Sequence, residues 1–448
     1  YSYNEKYLLD TVLRVDGSSK FGANNRYAVF PSVSLGWILS NESFMDDYES
    51  INLLKLRASW GQNGNQNIGN FAYTSTIATG FGYTFGGNER FTTGSIPSSV
   101  PNPNLKWETS EQLNFGFDMG LWQDKLIVKA DYYQKDTEGL LVRAPIPGHV
   151  GNNAPIINGG SVNNEGFEFS VDYRNYMSDF SYNVGLNFAV NKNEVTHIGN
   201  AEGVIVGTGF ATYGIVTRAE EGFPIGYFWG YETDGIFQTQ DDVNAYTNGD
   251  GDLLQPQAVP GDVRFKDLDG NGQIDDGDRS MIGNPTPDVT FGMNLGANYK
   301  QFDFSVFMQG TLGNEIFNAT RRHDLSSTNM PVSYLERWTG PGTSNDLPRF
   351  TWNDSNGNWS KISDLYVEDG SYLRVKNVQL GYNLPFDILE KVSMRQARIY
   401  LSAENLFTFT GYSGFDPEIG SASPFSVGVD RGVYPQARSY RLGVTFTF

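Results

Sequence analysis

The run DLDGNGQIDDGD, Asp267 to Asp278, places side-chain oxygens at its first, third, fifth, ninth and twelfth positions. That spacing fits a calcium loop of about twelve residues. Oxygen ligands would come from Asp267, Asp269, Asn271, the Gln273 backbone carbonyl, Asp275 and Asp278. Gly272 falls where such a loop turns sharply, and Ile274 is positioned as its apolar anchor. Ca2+ is a hard cation that takes about six to eight oxygens in an irregular cage, whereas Mg2+ demands a tighter octahedron. The twelfth position is Asp where helix-flanked loops carry Glu, so the carboxylate reaches less far for bidentate ligation. VRFK precedes and RSMIGNPTPDV follows, and neither is an amphipathic helix. The expectation is therefore an isolated structural Ca2+ site rather than a sensor, with a solvated acidic turn as the competing reading. Asn248–Asp252, NGDGD, resembles a second acidic turn with incomplete spacing.

Other candidate chemistry is sparser. Tyr227 and Trp229 form one aromatic group with Phe228 and Tyr231, and Trp338, Trp352 and Trp359 lie along one connection. Aromatic faces stack on sugar rings, so these are candidate substrate contacts. Packing inside a loop core would use the same residue types equally well. His149, His197 and His323 are far apart and outside any HExxH pattern. There is no phosphate-binding loop, and no catalytic residue is assigned; the expectation is a protein that is not an enzyme.

The element that follows the acidic loop sets the frame for it. From Asp288 to Gly310, Val289, Phe291, Met293, Leu295, Ala297 and Tyr299 alternate with small or polar residues. After a turn at Lys300 and Gln301, Phe302, Phe304, Val306 and Met308 do the same. Alternation with a period of two puts one face against an apolar medium. Two strands of about ten residues exceed the usual length in soluble sheets and match a membrane barrel strand.

The same pattern recurs along the chain and gives about twelve strands. They are Tyr7–Asp16, Ala28–Leu39, Asn52–Gly61, Ser110–Gly120, Lys125–Thr137, Asn163–Asn175, Phe180–Glu194, Thr286–Tyr299, Gln301–Leu312, Ser371–Leu384, Gln396–Phe409 and Arg438–Phe448. Short connections (Leu121–Asp124, Tyr176–Asp179, Lys300–Gln301) alternate with long ones (Gln62–Thr109, Thr196–Pro285, Gly313–Gly370, Thr410–Ala437). Such one-sidedness is the rule for outer-membrane barrels, with periplasmic turns and outer loops. The chain closes on Thr445-Phe446-Thr447-Phe448, a terminal aromatic on an alternating strand. The fold class expected is all-β, a transmembrane antiparallel β-barrel with long extracellular loops.

Composition bounds the rest. Aromatics make up 14% of the chain and Gly numbers 51, which suits long sheets and Gly-rich loops. No run of about 18 apolar residues exists, so there is no transmembrane helix, which does not exclude a membrane barrel. A net charge of −19 argues against nucleic acid as a partner. There is no Cys, hence no disulfide framework and no thiolate metal site. No initiator Met or signal peptide stands at Tyr1, and the chain reads as a fragment of a longer polypeptide.

Several separated runs resemble the SusC/RagA family of TonB-linked outer-membrane transporters. They include GSYLRVKNVQLGYNLP at Gly370–Pro385, ENLFTFTGYSGFDPE at Glu404–Glu418 and YPQARSYRLGVTFTF at Tyr434–Phe448. LKLRASWGQNGNQNIG at Leu54–Gly69, PNPNLKWETSEQLNFGFD at Pro101–Asp118, GFPIGYFWGYETDGIFQ at Gly222–Gln238 and RWTGPGTSNDLPRF at Arg337–Phe350 belong to the same resemblance, as does Asp16–Phe44. It implies that residues 1–448 form the C-terminal part of a barrel of about 22 strands, without the N-terminal plug or the TonB-contacting segment. Twelve strands left open would present unpaired edges to lipid, so the preceding strands lie elsewhere or the twelve close on themselves. The resemblance further implies a location in the bacterial outer membrane, a SusD-like surface lipoprotein as partner, energy from TonB, and oligosaccharides or peptides as cargo. The alternative left open by the residues is a soluble, calcium-dependent carbohydrate-binding β-protein.

Overall fold

The computed structural model describes every residue except 86–89, 144–148, 150, 152, 178, 201, 324–328, 386–388 and 391–393. Residue 178 of the short turn 176–179, and the corresponding parts of the long connections, lie outside the described residues. The chain divides into two compact units.

The first unit comprises Tyr1–Ile205, Glu220–Phe223 and Met293–Lys300. Its long strands are β1 (Tyr7–Gly17), β2 (Tyr27–Ile38), β3 (Ile51–Asn65), β4 (Glu108–Leu121), β5 (Leu126–Glu138), β6 (Gly160–Tyr176) and β7 (Phe180–Ile198). Each pairs antiparallel with the next in chain order. The register lines up Leu35, Ala58, Phe115, Tyr132, Phe167 and Val190 in one row. One residue along, Gly36, Arg57, Gly116, Asp131, Glu168 and Ala189 form the next row on the opposite face. Apolar and polar faces are thus separated across the whole unit, as the period of two requires. On the polar face Arg57 chelates two carboxylates, with Nε 2.9 Å from Asp118 Oδ2 and Nη1 2.9 Å from Asp131 Oδ1. The β4–β5 turn holds Trp122, Gln123 and Asp124 at positive φ, and the Gln123 N–H donates to Asn52 Oδ1 at 2.6 Å. A small core of Phe21, Phe30, Ile68, Leu105 and Trp107 fills the base of the 62–109 connection.

The second unit comprises Val206–Ala219, Pro224–Gly292 and Gln301–Phe448. β8 (Val289–Tyr299) has its Met293–Tyr299 part in the first unit. β9 (Phe302–Leu312), β10 (Tyr372–Asn383), β11 (Gln396–Thr410) and β12 (Ser439–Thr447) belong to the second. β9 to β12 pair antiparallel in chain order. Phe304, Leu380, Leu401 and Leu442 form one apolar row here, and Leu442 is 75% exposed. Every one of the twelve expected strands is present. Several are longer than expected: β7 has 19 residues and β6 has 17. About ten residues cross a membrane, so the surplus continues as paired strand outside it.

The long connections of the second unit are not loose. They hold short strands, notably Tyr227–Tyr231, Thr233–Ile236, Val263–Phe265, Arg279–Gly283 and Glu315–Asn318. Phe210, Phe228, Phe317, Trp359, Ile362, Tyr366 and Val429 come from all three connections into one buried cluster. Phe317 stacks on Tyr366 with centroids 5.2 Å apart. The loops therefore make a body with its own apolar core.

Candidate functional site

The acidic loop is fastened on both sides by sheet. Val263–Phe265, before it, pairs with Thr233–Ile236; Arg279–Gly283, after it, pairs with Tyr227–Tyr231. Both partners belong to one continuous segment, so the two ends of the loop are held by the same stretch of backbone. Ile274 packs against Tyr231, Val263 and Phe265, as an anchor should. Gly270 and Gly272 have φ of 71° and 84°, which a side chain would strain.

Asp267, Asp269 and Asp278 converge, each offering an oxygen within 4.8 Å of the others. Ligands around a Ca2+ ion at about 2.4 Å can lie at most about 4.8 Å apart, so the three fit one such ion. Asp278 is fully buried and accepts from the N–H groups of Leu268 (2.8 Å) and Asp275 (2.8 Å). The Asp267 carboxylate accepts from Gly270 N at 2.8 Å and Gly272 N at 2.9 Å. Asn271 and Asp275 are hydrogen-bonded to members of the triad. The Asn271 amide donates to Asp269 Oδ2 (3.1 Å) and Asp275 Oδ2 (3.2 Å), while its oxygen accepts from Gln273 N (2.8 Å). A half-turn of that amide would present its oxygen toward the carboxylates. Gln273 is exposed at the outer edge of the loop. The Asn248–Asp252 turn is closed on itself, with Asn248 Oδ1 accepting from Asp250 N and Asp252 N, and the Asn248 amide reaching Gly272 O at 3.5 Å. It braces the acidic loop.

Below the loop, Lys361 Nζ lies 5.3 Å from the Tyr231 ring centroid and 4.8 Å from that of Phe265. Burial pushes its pKa down, partly opposed by the charge of Asp278. Asp276, on the outer side, pairs with Arg279 at 3.0 Å.

The aromatic candidates separate into three kinds. Tyr227 and Trp359 are buried in the loop body, which corrects the expectation that they face a substrate. The Tyr227 hydroxyl accepts from Arg218 Nε at 2.7 Å, and Trp359 stacks on His323 with centroids 3.7 Å apart. Large rings fill a loop core as readily as they bind sugar, and here the core takes them. Trp229 is half-buried beneath the Arg218 guanidinium, 3.2 Å from its ring centroid. Trp338 is half-buried and donates to Gln238 Oε1 at 3.2 Å. Trp352 is exposed beside Phe350. Of the histidines, His197 pairs with Glu221 at 3.0 Å on the surface.

Sequence reading missed a charged junction between wall and loop. Glu418 accepts from Gln309 Nε2 (3.0 Å), Tyr372 OH (2.8 Å), Arg374 Nη1 (3.1 Å) and Lys376 Nζ (2.9 Å). Arg374 also donates to Asp416 Oδ1, and Asp416 Oδ2 accepts from Gln436 N at 2.8 Å. The alternating wall residues and the FDPE turn were both visible, but nothing in their spacing pairs them.

Long, paired strands that carry an exposed apolar row in each unit, with large folded connections, are what an outer-membrane β-barrel is built from. The family described as TonB dependent receptor-like, beta-barrel, matches residues 1–406. The chain belongs to that family, and its likenesses are of the SusC/RagA type. It is 36% identical to TonB-dependent receptor P3 of Formosa agariphila and 30% identical to TonB-dependent receptor SusC of Bacteroides thetaiotaomicron, over 100% of its own length in both cases. It spans 44% and 43% of the lengths of these relatives, so less than half of each. Among solved structures, the RagAB peptide transporter is similar with a TM-score of 0.79 at 26% identity, over 100% of this chain and 46% of that one. The chain is an outer-membrane protein, and a soluble sugar-binding protein is set aside by the family. The named relatives are receptors and transporters, not enzymes.

Proposed function

We propose that this chain is the C-terminal barrel wall and outer loop body of a TonB-dependent importer. The plug and the TonB-contacting segment would belong to the rest of the full-length protein. A SusD-like lipoprotein would cover the loops, and the cargo would be an oligosaccharide. The observation that carries the reading is the loop body itself. Connections that only closed a pore would need no common core, whereas a rigid outer platform suits capture of a ligand and docking of a partner. A peptide cargo is the second reading, favoured by the likeness to the RagAB peptide transporter. We also assign a structural Ca2+ to Asp267, Asp269 and Asp278, completed by Asn271, the Gln273 carbonyl and Asp275.

The test is uptake by cells that carry the full-length protein as their only transporter of this type. Growth on defined oligosaccharides that stops when TonB is deleted supports the reading. Uptake of peptides but no oligosaccharide supports the second; unchanged growth without TonB overturns both. Affinity purification from native membranes should bring down a surface lipoprotein.

A further inference from the structure

A cavity of about 560 Å³ opens in the loop body of the second unit. This lies within the range of small-ligand sites, about 300–1,000 Å³. Its polar lining includes Arg321, Asn345, Asp346, Asp364, Glu368 and Ser413, and Leu365 and Val367 supply an apolar strip. The residues come from all three long connections, so the pocket exists only when the body is folded.

Two of its carboxylates are set in place. Asp364 accepts from Thr233 N at 3.0 Å and Thr233 Oγ1 at 2.7 Å. Glu368 accepts from Arg321 Nη2 at 2.6 Å and Ser413 Oγ at 2.9 Å. The third is different: the exposed Asp346 carboxylate makes no hydrogen bond among the described residues, although its own N–H donates to Ser344. Three carboxylates against the single Arg321 guanidinium leave a surplus of negative charge. Carboxylates accept from neighbouring hydroxyls, the Asn amide can both donate to and accept from them, an apolar strip suits a ring face, and the surplus charge disfavours an anion.

We propose that this cavity is a subsite for a neutral sugar unit, with Asp346 as its free hydroxyl acceptor. This rests on the oligosaccharide reading above. It adds where the sugar is held and that acidic sugars are rejected.

The experiment uses the full-length protein in detergent, titrated calorimetrically with the oligosaccharide that supports uptake, and with oligogalacturonate. Asp346→Ala should raise Kd for the neutral sugar roughly tenfold, the loss of one hydrogen bond to a charged group. Asp346→Asn, which keeps an acceptor, should recover most of it. Asp346 is exposed, so both variants should give the wild-type protease pattern. Unchanged Kd in Asp346→Ala, or tighter binding of oligogalacturonate than of the neutral sugar, overturns the subsite and leaves transport standing. If the wild-type protein takes up no oligosaccharide, the transport reading falls and this subsite with it.

Discussion

Arg374 and Asp416 meet at 2.6 Å, and their side chains are only 2% and 5% exposed. One lies on β10 and the other in the 411–437 connection, so this pair fixes that loop to the wall. Removing one partner of a buried ion pair leaves an uncompensated charge, at a cost of about 3–5 kcal/mol. Arg374→Ala should therefore free the 411–437 segment for cleavage by added protease in intact cells, while the strands remain in the membrane. A cleavage pattern identical to wild type would show that the pair does not hold the loop.

The same junction should respond to acid. Burial alone would raise the Asp416 pKa, but the Gln436 N–H, Arg374 and the Glu418 N–H outweigh it, and the net shift is downward from 3.8. A carboxyl with a depressed folded pKa stabilises fully above its unfolded value and loses that contribution as pH falls through the folded one. Protease resistance of the segment should hold from neutral pH down to about 4 and decline only below that. A decline centred near pH 6 would point to a different group.

For the acidic loop, one Ca2+ per chain should be found by elemental analysis of the purified full-length protein. Asp267→Ala combined with Asp269→Ala should abolish it. Chelation should increase cleavage within residues 248–280 and leave the β9–β12 strands intact. Undiminished Ca2+ in the double variant would remove the assignment.

The lipid-facing row can be tested by charge. Leu186→Arg places a guanidinium on the apolar face of β7, at a cost of about 2–4 kcal/mol near mid-membrane. Asn187→Arg puts it on the opposite, polar face. The first should lower the amount of heat-modifiable protein in the outer membrane; the second should not. Equal loss from both would contradict the assignment of faces.

Phe317 is fully buried at the centre of the loop core. Phe317→Ala should destabilise the body by about 3–5 kcal/mol. Protease should then cut several of the long connections together, because they share this core. Cleavage confined to residues 313–370 would mean the connections fold separately.

The wall was legible because lipid on one side and small polar groups on the other impose a period of two. Phe167, Phe169 and Val171 show it without ambiguity. Boundaries were less legible: β3 extends to Asn65, pairing with Glu108, beyond the expected Gly61. Outside lipid both faces of a strand are wet, and the alternation that marks a strand disappears. The strands inside the loop body escaped notice for the opposite reason. Tyr227–Tyr231 is largely buried on both faces and reads as a plain apolar run. The acidic loop was legible because its candidate ligands lie within one short segment. The Arg374–Asp416 pair spans 42 residues, and the polar cavity draws on three connections. Neither leaves a local pattern.

The alternation of tight turns with long connections separates two rates of change. An insertion in a connection such as 313–370 shifts no strand register, because each hairpin is set by its turn at the other end. Length can therefore change on the outer side while the wall stays in tune with the bilayer. Exchanging connections between relatives should therefore leave the strand pairing of the wall unchanged.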